Sequence, residues 1–451
     1  MKLRSGAWRS VSDTTIEEPS RGVPSSLPGA AGLPAGRHPR LPVRVSTLDS
    51  LKHRNFKLFF SATFCLGAGY WIHTLVMGWL AYDLTRSPLL TTLAIGVENL
   101  PFLLAGPVGG FVADRWDLRK FLILVAAYQG IVTAAFSAFV MFGNPGAPHL
   151  FAFAFLMGLS WAVADPPKVS FIPSLVPRHV LINAFSLNGL SFNLTRFVIP
   201  TMAGVVLVWI GPGRTLMFAA SLYLAACLAT VLIVYARAQG QASERTRLFG
   251  LSPFIEGLRY VAREPFVLAI IVLGGILPVL YVPFVYGMLP VYASENFHVG
   301  PSGLGILLSA VGVGSAVSTV VLASAGEIKY KGRVLVFFMG LIILGMTAFS
   351  QSPGIWLAFA CLVVASGGMT GFLTVEYAAI QVSTPDYIRG RISAIGLMTF
   401  GLYPVGSLLA GFIAERTTTP TATLVAGGVL LALTAIILLR APSIWAFRQT
   451  R

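Results

Sequence analysis

The sequence predicts an all-α integral membrane protein, about twelve transmembrane helices arranged as two pseudo-symmetric six-helix bundles. Three observations carry that expectation. Of 451 residues, 55% are hydrophobic and only 11% charged, with a mean hydropathy of +0.78; a water-soluble fold could not bury so much apolar surface. The apolar runs reach roughly 20 residues without alternating, which selects helices over a closed barrel built from ~10-residue alternating strands. Finally, with the first residue inside, all but four of the 32 Lys and Arg residues fall in predicted cytoplasmic segments; the exceptions are Arg86, Arg214 and Arg416 in opposite loops and Arg196 within a span. This asymmetry places both termini in the cytoplasm of a cell-membrane protein and requires an even number of crossings.

Residues 1–50 are rich in Pro, Gly, Ser and Arg and lack a signal-like apolar run, so they read as a disordered cytoplasmic tail. Spans follow at 56–81, 89–112, 119–141, 149–165, 183–209, 214–236, 264–290, 302–325, 333–350, 354–376, 390–413 and 421–440. Span 4 is ended by Asp165-Pro166-Pro167-Lys168, which interrupts an apolar stretch running from Leu150 to Val176. The long polar connection 237–263 separates a bundle over 51–236 from one over 264–441, and 442–451 form a second cytoplasmic tail.

The halves echo each other. Pro177-Arg-His-Val-Leu-Ile-Asn183 leads into a span with Pro200 and Gly204, and Pro385-Asp-Tyr-Ile-Arg-Gly-Arg391 leads into one with Pro404 and Gly411. Span 7, with Pro278, Pro283 and Pro290, is the most interrupted. Repeated bundles with proline-broken helices are the expected build of an alternating-access carrier.

The sharpest local motif is Gly106-Pro-Val-Gly-Gly-Phe-Val-Ala-Asp-Arg-Trp-Asp-Leu-Arg-Lys120. Gly106 and Gly110 share a helix face open to close helix approach, and Asp114-Arg115 then Arg119-Lys120 follow at the membrane edge. The motif resembles the loop signature between spans 2 and 3 of the major facilitator superfamily. Arg54-Asn-Phe-Lys-Leu-Phe59, Gly78-Trp-Leu-Ala-Tyr-Asp-Leu-Thr-Arg-Ser-Pro88, Leu289-Pro-Val-Tyr-Ala293 and the segment 385–391 are similar to its drug:proton antiporter branch, which holds enterobactin-exporter-like and macrolide-efflux-like proteins. Two departures stand out. Ile199-Pro-Thr-Met-Ala-Gly204 lacks two glycines of the antiporter span 5 pattern, and Glu98 replaces an apolar residue of span 2. The resemblance implies two bundles rocking about a central site, with Asp114 latching them on the cytoplasmic side against the start of span 11 at Arg389 and Arg391.

Ionisable groups deep in a span are functional candidates by default. At about 1.5 Å per residue, His73, Glu98 and Arg196 lie about 24, 21 and 20 Å from the inner face, in one layer of spans 1, 2 and 5. One reading makes Glu98 a proton carrier modulated by Arg196 or His73; the other makes Glu98 and Arg196 a static pair and His73 a hydrogen-bonded core residue. Asn99, Asn188 and Asn193 with Tyr70, Trp71, Tyr281 and Tyr286 could line the rest of a cavity, or simply pack. Asp165 and Glu376 hold equivalent places near the inner ends of spans 4 and 10, as gate acids or solvated loop-edge acids.

These features predict a secondary active transporter, acting as a monomer on a small-molecule substrate with protons, in a lipid bilayer, without cofactor, metal or nucleic acid. Proton-coupled efflux of a hydrophobic or amphipathic molecule is the first expectation; a proton-coupled uptake symporter of the same fold and a transport-inactive receptor or scaffold are the alternatives. No Gly-x-x-x-x-Gly-Lys-Ser/Thr phosphate loop occurs, which argues against a primary pump. No His-Glu-x-x-His occurs either, and His38, His53, His73, His149, His179 and His298 are scattered, which argues against an intramembrane enzyme. Cys65, Cys227 and Cys361 fall in three spans and imply no disulfide framework.

Overall fold

The computed structural model describes residues 48–103, 117–234, 251–326 and 328–441, leaving aside the side chains of 165–166, 251–254 and 386. Among the described residues, ten helical stretches are long and apolar enough to cross a membrane. One of them, Arg178–Val231, holds two crossings. It turns at Gly211, whose φ of 78° and ψ of 169° only glycine adopts readily, and Pro212 restarts the helix. Span 2 begins at Pro88 and leaves the described residues after Leu103, so eleven of the twelve expected crossings lie within the described residues.

Local chemistry sets the helix ends. Ser87 caps span 2 by accepting from the Leu90 N–H, with Pro88 at the first position. Asp117 caps span 3, Leu118–Phe142, through the Lys120 N–H, and Thr418 caps span 12, Thr419–Arg440, through the Thr421 N–H. Span 1, Arg54–Thr85, ends where Arg86 turns left-handed at φ 50°. Its first turn meets the end of span 6: the Asn55 amide donates to the Val234 carbonyl and accepts from the Val234 N–H. These ends define a near face; the Gly211 turn, joined to span 3 by Ser137 Oγ donating to the Gly213 carbonyl, marks the far face.

Three expectations are corrected. Span 4 does not stop at Asp165; the helix is Ala147–Phe171. Each proline forgoes the bond its N–H would have made to a carbonyl one turn back, and the helix carries on for about one more turn before it ends at Phe171. Span 10 is Ile355–Ser383, so Glu376 lies about two turns inside the helix and is buried, not at a solvated loop edge. The polar connection contains a helix, Leu251–Arg263. Its sequence interleaves Ile255, Leu258 and Val261 with Glu256, Arg259 and Arg263, an amphipathic pattern that composition alone reads as a linker.

The bundle wears its apolar residues outward as well as inward: Phe142, Ile182, Trp209 and Leu439 are almost fully exposed. Water would not tolerate that surface over spans of this length, whereas lipid does.

The two bundles meet along seams that the repeat relates. Shifting every span by six maps the contact of span 2 with span 11 onto that of span 8, Gly300–Ser324, with span 5. In the first seam Thr92 Oγ1 donates to the Ser407 carbonyl. In the second, the Thr201 N–H and Oγ1 both donate to Ser309 Oγ, at 3.1 and 2.7 Å, and the backbones touch around Gly305 and Pro200. Span 1 joins span 7 at the far end, where the Tyr82 hydroxyl donates to Glu295, and Ser87 Oγ donates to Glu415 beside it. These bonds between the bundles lie in the far half of the helices.

Candidate functional site

Three helices of the first bundle converge on a buried polar chain. Glu98 sits in the last turn of the span 2 helix, where span 4 presses against it so closely that a Cβ at Gly158 would stand 1.9 Å from the Glu98 carbonyl oxygen. Across from it, Gly69 of span 1 lets the Tyr223 ring of span 6 lie flat on the helix; a Cβ there would meet the ring at 2.9 Å. One turn further on, His73 reaches both neighbours. Its Nδ1 is 2.8 Å from the Tyr223 hydroxyl and its Nε2 is 3.2 Å from Glu98 Oε1. Tyr223 and His73 are fully buried and Glu98 nearly so. With neutral His73, the Tyr223 O–H donates to Nδ1 and the Nε2–H donates to the carboxylate; with imidazolium, both ring nitrogens donate and Tyr223 accepts.

Arg196 belongs to the same neighbourhood but not to that pair. The ion-pair partner of Glu98 is His73, and the Arg196 guanidinium lies 5.7 Å from the Trp71 ring centre. The expected static Glu98–Arg196 pair is thus replaced by two separate arrangements, because the span 2 carboxyl turns toward span 1 rather than span 5. Tyr70 packs edge-on against Trp71, His73 and Trp161, with ring centres 5.2, 5.3 and 4.4 Å away. From the second bundle, Tyr281 and Tyr286 stack edge-to-face at 5.7 Å, and the charge of Arg196 acts on both hydroxyls. Tyr403 of span 11, also buried, interacts electrostatically with Glu98, Tyr70 and Tyr286 and closes the layer across the bundle interface.

Span 7 places its tyrosines by abandoning α geometry. Its helix Pro265–Leu280 gives way to a π turn, Pro283–Gly287, then a short α turn, Leu289–Val291, and a second π turn, Tyr292–Asn296. Span 11 breaks similarly, from Asp386–Met398 through a 3₁₀ turn, Thr399–Leu402, to Tyr403–Arg416.

The remaining candidates disperse. Asn99 and Asn193 donate to carbonyls of their own helices, Ile95 and Gly189, and Asn188 is half-buried on span 5. Of the near-face motif, Gly106, Gly110, Asp114 and Arg115 lie outside the described residues, as does the Asp165 side chain. Arg119 acts within its own bundle, donating to the carbonyls of Thr230 and Val231 at the end of span 6, where a cation is favoured. Lys120 is exposed. Arg389 donates to the Thr384 carbonyl, and Arg391 pairs with Glu256 of the helix Leu251–Arg263. Glu376 faces span 7, its carboxyl filling the space beside Gly274, where a Cβ would come within 2.2 Å of Oε1.

Sequence reasoning missed Tyr223, Tyr403 and Trp161. Each is an aromatic among many, and only its tertiary neighbours give it a role.

Residues 45–446 match the family described as transmembrane secretion effector. The chain belongs to that family, within the major facilitator superfamily of transporters. Among curated relatives, the transporter is 24% identical to the staphyloferrin A transporter of Staphylococcus aureus over 80% of this chain and 89% of the relative. It is 25% identical to the multidrug efflux pump Tap of Mycolicibacterium fortuitum, over 82% and 91%, and 23% identical to an enterobactin exporter of Shigella boydii, over 81% and 87%. Solved structures share its fold: the nucleoside transporter NupG aligns with a TM-score of 0.68 at 16% identity over 85% of this chain and 98% of that one. A peptide transporter POT aligns at 0.69 and 14% over 88% and 96%. The chain is a secondary active, alternating-access transporter of a small molecule and not an enzyme.

Proposed function

We propose that transport is coupled to protons through Glu98, with His73 and Tyr223 as its hydrogen-bonded extension and the near face in the cytoplasm. The buried Tyr223–His73–Glu98 chain, in the layer where the two bundles meet, carries this reading. An ionised Glu98 beside neutral His73 offsets the charge of Arg196 in the same layer, and charges in the membrane interior cost several kcal/mol each when uncompensated. Adding one proton to the pair leaves the Arg196 charge uncompensated, so proton occupancy changes the energy of enclosing the layer, and the bundles respond by rocking.

Uptake together with protons is the reading adopted first, because Ile199-Pro-Thr-Met-Ala-Gly204 departs from the antiporter span 5 pattern. Export against an inward proton gradient is the second, favoured by relatives named as an exporter and an efflux pump. Proteoliposomes carrying an imposed proton gradient, with staphyloferrin A, enterobactin or ethidium as probe, separate the two by the direction in which the probe moves. In either direction, Glu98→Gln is expected to lose acceleration by the gradient while keeping probe binding. Acceleration retained in that variant would clear Glu98 of the coupling role.

A further inference from the structure

The central layer contains an unusual census of hydrogen-bonding atoms. Trp71 Nε1, Trp161 Nε1, Arg196 Nε and the hydroxyls of Tyr281 and Tyr286 are each buried without a well-aligned hydrogen bond among the described residues; the Tyr286 hydroxyl lies near enough to Arg196 and Tyr281 for a poorly aligned interaction with each, and the two indoles have none. Native proteins leave few such atoms, and each costs free energy comparable to a lost hydrogen bond. These five fall together. Arg196 stands over Trp71, Trp71 and Trp161 flank the Tyr70 ring, and both tyrosines feel the guanidinium charge.

Their chemistry is one-sided. Indole and guanidinium nitrogens only donate, and the two phenols can donate as well. The one permanent charge of the group is positive. Among the described residues the carboxyl of the layer is that of Glu98, which already accepts from His73. Trp71, Trp161 and Arg196 belong to spans 1, 4 and 5, whereas Tyr281 and Tyr286 belong to span 7, so a ligand satisfying all five would touch both bundles.

We infer that this layer binds an organic anion, a carboxylate-bearing molecule with an aromatic or apolar body, held by Arg196 and completed by the indole and phenol donors. The carboxylate matches the guanidinium fork in a way an ammonium cannot, and the aromatic side chains of the layer give its body an apolar surround. The inference deepens the carrier reading by naming the class of its cargo, and it rests on that reading in taking this layer as the ligand site. An anion beside Glu98 is favoured when Glu98 carries a proton, so proton and ligand occupancy should be positively linked.

Binding without flux tests it. The purified full-length transporter is titrated calorimetrically with three isosteric probes: 1-naphthylacetate, 1-naphthylacetamide and 1-naphthylethylammonium. The acetate is expected to bind about 10- to 100-fold more tightly than the other two, the range for a hydrogen bond to a charged group. Arg196→Gln should reduce the acetate to the level of the amide, Arg196→Lys should restore part of the difference, and Tyr286→Phe should weaken the acetate alone. Equal or tighter binding of the ammonium, selectivity unchanged in a folded Arg196→Gln protein, or no binding of any probe would each overturn the assignment. Anion binding with no proton-dependent flux would leave this site standing and remove the coupling proposal; coupled flux with no anion preference would do the reverse.

Discussion

At the scale of single residues, two buried glutamates show how differently a membrane helix can hold an acid. Glu98 has a titratable partner at 3.2 Å and a further phenol behind it. Glu376 has neither: among the described residues no cation reaches it, and its carboxyl rests against Gly274 of span 7. Basic residues of the second bundle are engaged elsewhere, Lys331 with the Ile328 carbonyl, Arg333 over the Tyr330 ring and Arg391 with Glu256. Removing an acid that has no counter-charge relieves a cost instead of breaking a bond. Glu376→Gln is therefore expected to melt at or above the temperature of the parent, whereas Gly274→Ala, which crowds the carboxyl, should lose about 1–3 kcal/mol. Thermal melting of both variants checks this, and a strongly destabilised Glu376→Gln would show that the carboxylate itself is holding the helices. The depth of His73, Glu98 and Arg196 was legible in the sequence because helix rise is fixed. Which of them touch was not, because rotation about each helix axis is set by packing such as that of Gly158 and Gly69, whose partners are far away in the chain.

At the scale of elements, span 7 carries the largest difference between sequence and structure. Its three prolines announce a broken helix but not where the extra residue goes. Five residues in a regular α-helix turn through about 500°, leaving Tyr281 and Tyr286 about 140° apart; the π turn Pro283–Gly287 absorbs the excess and brings their rings to 5.7 Å. π turns of this kind recur at functional sites. Replacing Pro283 by Ala allows the segment to relax toward α geometry and part the two phenols. The expected outcome is a folded protein with weaker naphthylacetate binding in the calorimetric titration; unchanged affinity would mean that the π turn does not build the site. Span 4 and the helix Leu251–Arg263 make the complementary point. Asp165-Pro166-Pro167-Lys168 reads as a stop and Glu/Arg alternation reads as a linker, yet a helix runs through the first and forms within the second, where packing against neighbouring helices outweighs the local signals.

At the scale of the whole molecule, the pseudo-repeat does the mechanical work. The seam of spans 2 and 11 and that of spans 5 and 8 are images of one another, so the far side can part only if both open together. In this structure both are closed, with Tyr82–Glu295 and Ser87–Glu415 fastening the far end. The repeat, the six-plus-six division and the family were legible because they are written in periodicity and in loop motifs spread over most of the chain; the seams were not, because small polar residues such as Thr201 and Ser309 look alike wherever they occur. The central claim is that a proton on Glu98 biases the rocking of the bundles, and it is most directly tested without any ligand. Spin labels at the exposed far-face positions Leu84 and Thr417, measured by double electron–electron resonance at pH 5.5 and pH 8, are predicted to give two distances whose weights shift with pH in the parent and stay fixed in Glu98→Gln. A single distance at both pH values, or the same shift in the variant, would contradict the account.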